Sequence, residues 1–267
     1  AFDKTGTITK GKPEVTDIYS KVKESYLLEI AASLEKLSEH PIARAIVEKA
    51  GLKRYKSVKG FKVLRGRGVE GTIGDKKIVI GNMTLMNERK IKVNSFEKQI
   101  ERYESEGKTT MIISVGGKVI GIIAVADAIK DDSVRAIAEL NRQGYKTVMI
   151  TGDNERTAKA IAKQVGIKEV IANVLPEDKV KKIEELQKTG MTAFVGDGIN
   201  DAPALKQANV GIAMGTGTDI AIEAGDLVLA RGSLVGVVQA INLSKATFSK
   251  IKQNLFWAFA YNTIAIP

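Results

Sequence analysis

A chain of 267 residues with 41 Lys and Arg against 31 Asp and Glu has room for one large domain or two ordinary ones. Apolar content of 44% and charged content of 27% argue against disorder and against a wholly membrane-embedded protein. Without Cys there are no disulfides and no thiolate chemistry, which fits a reducing compartment. The net charge of +10 is interleaved with Glu and accompanied by only six Tyr and one Trp, so nucleic acid is not an expected partner. A basic face that attracts phosphates or anionic lipid is the better reading.

In chain order, Ala1 and Phe2 read as the end of a buried strand, and "DKTGT" after them as a tight Gly- and Thr-rich loop. Helices are predicted near 24–37 and from Pro41 to Ala50, then strands around "FKVL", "VEGTI" and "KKIVIG". "NSFEKQIERYESEG" is a predicted helix with Asn94 and Glu97 at capping-box spacing. "TTMIISVGGKVIGIIAV" is a predicted hairpin with a Gly-Gly turn. From about 131 onward helix and strand alternate: "DDSVRAIAELNRQG" with Val134, Ile137, Ala138 and Leu140 at helical spacing, "KTVMI", a helix over 154–165, "EVIANV", a helix after Pro176, "TAFV", a helix near 202–208, "VGIAM" and "DLVL". That order calls for an α/β fold with a parallel sheet. The stretch 15–124 is α+β and antiparallel in character, inserted between the first two strands of the parallel sheet. The expected division is 1–14 with 125–252 for the sheet domain, 15–124 for the insertion, and 253–267 as the start of a truncated transmembrane helix. That last segment is nearly uncharged but too short to span a bilayer alone, which takes about 20 residues.

Three polar clusters each follow a short apolar run: "DKTGT", "TGDN" and "GDGIND". Strands of a parallel sheet end on one edge, where ligands bind, so the clusters are expected to converge. They bring together Asp3, Thr151, Asp153, Asp197, Asn200 and Asp201, and Lys179 adds a positive charge for phosphate. Carboxylates crowded into one place need a cation, and oxygen ligands alone suit Mg²⁺. Each cluster alone reads equally well as a surface turn. Three in register read as a site for phosphoryl transfer through an aspartyl-phosphate.

"DKTGT", "TGD" and "GDGIND" resemble the phosphorylation motifs of P-type ATPases, within the larger haloacid-dehalogenase superfamily. "SEHPIARAI", "GRGV" and "IGN" are similar to elements of the heavy-metal-transporting branch. The resemblance covers the whole chain and implies a haloacid-dehalogenase-like parallel-sheet domain with an inserted nucleotide-binding domain. It implies that Asp3 attacks the γ-phosphate of ATP, that Lys4 belongs to the same catalytic loop, and that Thr5 helps hold Mg²⁺ and the phosphoryl group. Thr151, Gly152, Asp153 and Lys179 then serve the transferring group. Asp197 and Asp201 join Asp3 and Thr5 around the metal, with Asn200 fixing the loop.

For nucleotide the resemblance points to Glu35, His40, Pro41, Gly66, Gly68, Val69, Gly81 and Asn82. Residue by residue the alternatives stay open. Glu35 is one more charge on a helix face and His40 a lone surface histidine, although Pro41 places it at a helix cap. Gly66-x-Gly68 is a common turn, and Gly81-Asn82 a strand-ending one. Thr5 stands where superfamily phosphatases carry a second Asp, and a hydroxyl does no acid–base work near neutral pH. A long-lived phosphoenzyme suits a pump. The alternatives are a haloacid-dehalogenase-type phosphatase and a non-catalytic nucleotide-binding module. "AYNTIAIP" resembles the Tyr-Asn pattern of copper-transporting members. The resemblance therefore implies a fragment on the cytoplasmic face of a membrane, joined to transmembrane and actuator parts, with copper as the cargo bound outside it. The two domains are expected to close on ATP and Mg²⁺ across a small polar contact, hinged near 10–20 and 124–130.

Overall fold

Two six-stranded sheets of opposite kinds organise residues 1–198, 201–215 and 219–265, the residues described by this computed structural model. The first is wholly parallel. It contains β1 (Phe2–Asp3), β8 (Val148–Ile150), β9 (Glu169–Ile171), β10 (Ala193–Gly196), β11 (Val210–Met214) and β12 (Leu227–Leu229), in the order β12-β11-β10-β1-β8-β9. These runs are short and apolar because helices cover both faces. On one face lie α5 (Ser133–Arg142), α6 (Glu155–Val165) and the start of α10 (Val235–Ala265). On the other lie α7 (Lys179–Gln187), α8 (Ala202–Gln207) and α9 (Asp219–Ala224). The chain leaves β1 towards β8 and β9 and returns to its other side through β10, so β1 sits at a topological switch point.

The second sheet is wholly antiparallel, in the order β2-β7-β6-β5-β4-β3. Its strands are β2 (Thr9–Ser20), β3 (Val58–Leu64), β4 (Gly68–Ile73), β5 (Lys76–Gly81), β6 (Thr109–Val115) and β7 (Lys118–Ile129). Helices α1 (Glu24–Glu35) and α2 (Pro41–Ala50) cover one face, where Ile78, Ile80, Ile113 and Ile123 point. The opposite face packs Val79, Ile112 and Ile122 against α3 (Met83–Glu88) and α4 (Glu97–Ser105). The period of two along each strand divides the side chains between these cores. Gly116 and Gly117, with φ of 57° and 79°, make the predicted hairpin turn between β6 and β7.

Three local expectations need correction. Residues 10–20 and 124–130 are not loose links but paired strands, β2 on β7, with register shifts between Thr9 and Pro13 and between Val15 and Asp17. On α5 the buried stripe is Ser133, Ala136, Ile137 and Leu140, leaving Val134 half exposed, because the helix turns the smaller Ala136 inward. The capping box at Asn94 does not form: buried Phe96 closes a short turn over Asn94–Phe96, and α4 begins only at Glu97 without a side-chain cap. At the C-terminal end α10 runs unbroken through 31 residues as far as Ala265, with Phe256, Trp257 and Phe259 exposed. Among the described residues no helix is long and apolar enough to cross a membrane.

Candidate active site

Because β10, β1 and β8 are neighbours in register, the loops after them meet at one edge of the parallel sheet. Asp3 closes β1 and is buried. The loop after it is as tight as its composition predicts: Thr5 is extended and exposed, and Gly6 turns back with φ of 73°. A Cβ on Gly6 would stand 1.6 Å from Asp197 Oδ2, so the loop touches the acidic cluster only because residue 6 is Gly.

Lys179 lies between two buried carboxylates, its Nζ donating to Asp3 Oδ1 and Asp201 Oδ1 at 2.6 Å each. It is the first residue of α7, where the helix dipole disfavours a cation, and the carboxylates supply the compensation. Asp201 is held in turn by the backbone N–H groups of Asp197 and Gly198, each donating to Oδ2 at 3.2 Å. One oxygen from each of Asp3, Asp197 and Asp201 lies within 4.8 Å of the others. Burial pushes the Asp3 carboxyl up to about 7, helped by the Asp201 charge and opposed by Lys179. Asp197 rises to about 6 from the same two causes, burial first and then Asp201. Burial works against the Lys179 ammonium, yet Asp3 and Asp201 together raise its pKa. Three hard oxygens that cannot comfortably all be ionised are a donor set that fits a divalent cation such as Mg²⁺.

The second half of the site centres on Asp153. It pairs with Lys4 and accepts from Thr151 Oγ1 at 3.3 Å and from Thr109 Oγ1 at 3.0 Å. Burial opposes ionisation of Asp153, but Lys4 and these hydroxyls hold its pKa below the usual carboxylate range. Gly152 is exposed beside it. Asn154 caps α6 by accepting from Thr157 N–H at 3.0 Å.

Across from this edge stand the residues singled out for nucleotide. His40 caps α2, its Nδ1 accepting from Ile42 N–H at 3.2 Å, with Pro41 as the first helical residue. The ring is open to solvent, yet its pKa is lowered by nearby protein and it feels the charges of Asp153 and Lys4. Glu35 is buried at the end of α1, pushed up to about 7 by burial, with no side-chain hydrogen bond or ion pair among the described residues.

Gly66, Gly68, Gly81 and Asn82 form one unit. Asn82 Nδ2 donates to Gly66 O at 2.9 Å, while its Oδ1 caps α3 by accepting from Leu85 N–H at 3.0 Å. Gly68 and Gly81 face each other across β4 and β5, and a Cβ on Gly68 would lie 2.0 Å from Ile80 O. Their first requirement is thus strand against strand. A Cβ on Gly66 would meet Leu175 Cδ2 at 2.7 Å, so this turn reaches the segment leading to Lys179. Val69 is buried in the core under α1 and α2, not turned to the cleft. Asn200 lies outside the described residues.

Two residues not anticipated from sequence brace the Asp3 loop. Asp127 accepts from Thr9 Oγ1 at 2.6 Å and from the N–H groups of Gly11 and Lys12. Lys130 Nζ donates to the carbonyls of Gly6 and Gly232. Their signal was a polar residue directly after the apolar run "GIIAVA" of β7, Asp127, and a cation just past the strand's end, Lys130.

Comparison with known proteins agrees with this geometry. Residues 1–209 match the model of the haloacid dehalogenase-like hydrolases. The whole chain is 50% identical to copper-transporting ATPase 2 of Rhizobium meliloti (strain 1021), covering 33% of it. It is 51% identical to a probable copper-exporting P-type ATPase of Archaeoglobus fulgidus, again covering 33%. The chain thus spans about a third of the length of the curated relatives it matches. Among solved structures, a CPx-ATPase catalytic domain studied on nucleotide binding aligns with TM-score 0.68 and 33% identity, over 90% of this chain and 86% of that one. A zinc-transporting PIB-type ATPase in its E2.Pi state aligns with TM-score 0.67 and 42% identity, over 98% of this chain and 43% of that one. The chain belongs to the haloacid dehalogenase-like hydrolases, as a P-type ATPase catalytic domain.

Proposed function

We propose that this chain is the ATP-binding and phosphorylation unit of a heavy-metal cation pump. The observation that carries the reading is buried Asp3 at a strand end, bonded to Lys179, with Thr5 two residues on. A carboxylate oxygen of Asp3 attacks the γ-phosphorus of ATP, the bond to the β,γ-bridging oxygen breaks, and ADP leaves with that electron pair. Lys179 loosens its hold on Asp3 and meets the equatorial oxygens of the transferring group, with the Thr151 hydroxyl and the Gly152 backbone beside it. Lys4, pinned by Asp153, keeps a positive charge next to the attacking carboxylate. Asp3, Asp197 and Asp201, with Thr5 beside them, would hold Mg²⁺. Bound there, the metal supplies neutralisation of phosphate charge. Position 5 offers no general base for water, so the acyl phosphate on Asp3 is long-lived enough for a conformational cycle.

Nucleotide is taken up by the inserted part, 15–124, with Glu35 and His40 on the base and the Gly66–Gly68 and Gly81–Asn82 unit against the sugar and phosphates. The phosphorylation part is 1–14 and 125–252, and 253–267 continues towards a membrane with the transmembrane and actuator parts of a longer polypeptide. The cytoplasmic face is the proposed location of the unit. Copper is the proposed cargo, supported by the names of relatives near 50% identity and by Tyr261-Asn262.

Radiolabelled ATP with Mg²⁺ is expected to leave acid-stable label that hydroxylamine removes. Asp3→Asn abolishes the label while nucleotide affinity stays within a few-fold. Turnover of phosphate esters without any such label would favour the phosphatase instead.

A further inference from the structure

The antiparallel part does more than face the site; it holds one of the site's loops. Glu104, near the end of α4, is 8% exposed. Its Oε1 accepts from Thr110 Oγ1 at 3.2 Å and from Asn154 Nδ2 at 3.1 Å, and its Oε2 from Arg156 Nη1 at 2.9 Å. Thr157 Oγ1 donates to Lys108 O at 2.9 Å, and Thr109 Oγ1 reaches Asp153. The turn between α4 and β6 comes close enough to α6 that a Cβ on Gly107 would lie 2.9 Å from Ile161 Cδ1. Residues 104–110 therefore grip 153–157, with Thr109 on the Asp153 oxygen that Lys4 does not take.

We propose that Glu104 is a positioning residue for the phosphorylation site, fixing the Asn154 side chain so that Asp153 holds Lys4 beside Asp3. The proposal rests on reading Asp3 as the phosphoryl acceptor. The Arg156 contact alone does not explain a buried Glu here, because Arg156 is half exposed and such pairs contribute little. The Asn154 bond is different in kind. Asn154 uses its oxygen to cap α6 and its NH₂ group on Glu104 and Thr157 Oγ1, so Glu104 sets which way the amide faces. Thr110 fixes the carboxylate from its own side, making the anchor rigid. Asp153 is one peptide away, and small displacements of a group beside the reacting atoms cost large factors in rate.

The test replaces Glu104 by Met, which keeps the length and removes every acceptor, and by Gln, which keeps one. Turnover is measured with p-nitrophenyl phosphate and with ATP, and ATP affinity by calorimetry. The expected result is a kcat about tenfold or more below wild type for Glu104→Met, part of it restored in Glu104→Gln, with ATP affinity within about twofold in both. Thr109→Val, which removes the direct bond to Asp153 and leaves Glu104 in place, is expected to lower kcat with the same unchanged affinity. Amide hydrogen exchange over 151–157 should quicken in Glu104→Met while α7 exchanges as before. A folded Glu104→Met protein with wild-type kcat, or with unchanged exchange over 151–157, overturns the proposal and leaves Glu104 as packing between the two parts. If the wild-type chain shows no Asp3-dependent turnover, the functional reading fails instead. The exchange comparison then still decides whether Glu104 holds the loop.

Discussion

Asp3 and Asp201 share one ammonium between them, whereas Glu35, buried as deeply, has no cation beside it among the described residues. Both Asp3 and Glu35 have carboxyls pushed up to about 7, by different routes. At Asp3, burial and a second carboxylate outweigh Lys179; at Glu35, burial acts alone. The parallel-sheet side is a cluster of three carboxylates with one ammonium among them, whose partners would be exchanged on the proposed arrival of phosphate and metal. The antiparallel side offers a carboxyl whose proton burial holds more tightly than usual, and under the proposed function this would suit a neutral heterocycle that hydrogen-bonds without bringing charge. Under the proposed function, two demands of one substrate would be met by two kinds of site.

The sharpest way to break this contrast is Lys179→Met. It leaves two buried carboxylates facing each other without their cation, which destabilises by on the order of 3–5 kcal/mol. Phosphoenzyme formation should fall at least a hundredfold, the scale of losing a preorganised charge at the reacting group. Urea unfolding near pH 7 with and without Mg²⁺ checks both halves, since the metal should restore part of the stability but not the phosphorylation. A folded, active Lys179→Met protein would mean that the cluster does not depend on its internal cation.

Glu35→Gln sharpens the other side. Folded Glu35 binds its proton more tightly than the unfolded chain does, with a pKa of about 7 against an ordinary 4.5. Its contribution to stability is therefore full below about pH 4.5 and is lost as the pH rises through 7. The loss is on the order of 3 kcal/mol. Glu35→Gln should remove that slope, leaving the variant more stable than wild type at pH 8 while it binds ATP more weakly. Parallel stability–pH profiles in the two proteins would show that Glu35 is not the titrating group.

The smallest expected effect belongs to His40→Asn. Asn keeps the cap on α2, so the fold should lose little. Loss of the ring should weaken ATP binding about tenfold, or ~1.4 kcal/mol, and spare turnover of p-nitrophenyl phosphate. Unchanged affinity by calorimetry would return His40 to a purely capping role.

The candidate site was legible where chemistry sits at strand ends. Asp3, Thr151, Asp153 and Asp197 each follow a short apolar run, and parallel strands end on one edge, so convergence needed no knowledge of side-chain contacts. Lys179 was legible as a cation early in the next helix, but not as the bridge between Asp3 and Asp201. Gly68 and Gly81 read as turn glycines that the resemblance assigns to nucleotide, and the structure adds a reason closer to hand in the approach of β4 to β5. Val69 shares their motif but belongs to the core, since alternate strand residues face opposite sides.

The alternation of helix and strand after residue 131, the parallel and antiparallel character of the two sheets, and the polar loops at the strand ends were determined by the sequence alone. Hydrophobic period, Gly-Gly turns and capping residues act over a few neighbours, and one chain displays them all. Only the tertiary structure decided which groups pair across that order: Lys179 with two carboxylates, Thr109 with Asp153, Glu104 with Asn154, and Asp127 with the chain beyond the Asp3 loop. Each pair joins segments far apart in sequence and brought together by sheet register and helix packing. A buried polar group must find a partner wherever the packed chain presents one, and a linear pattern carries no record of that position.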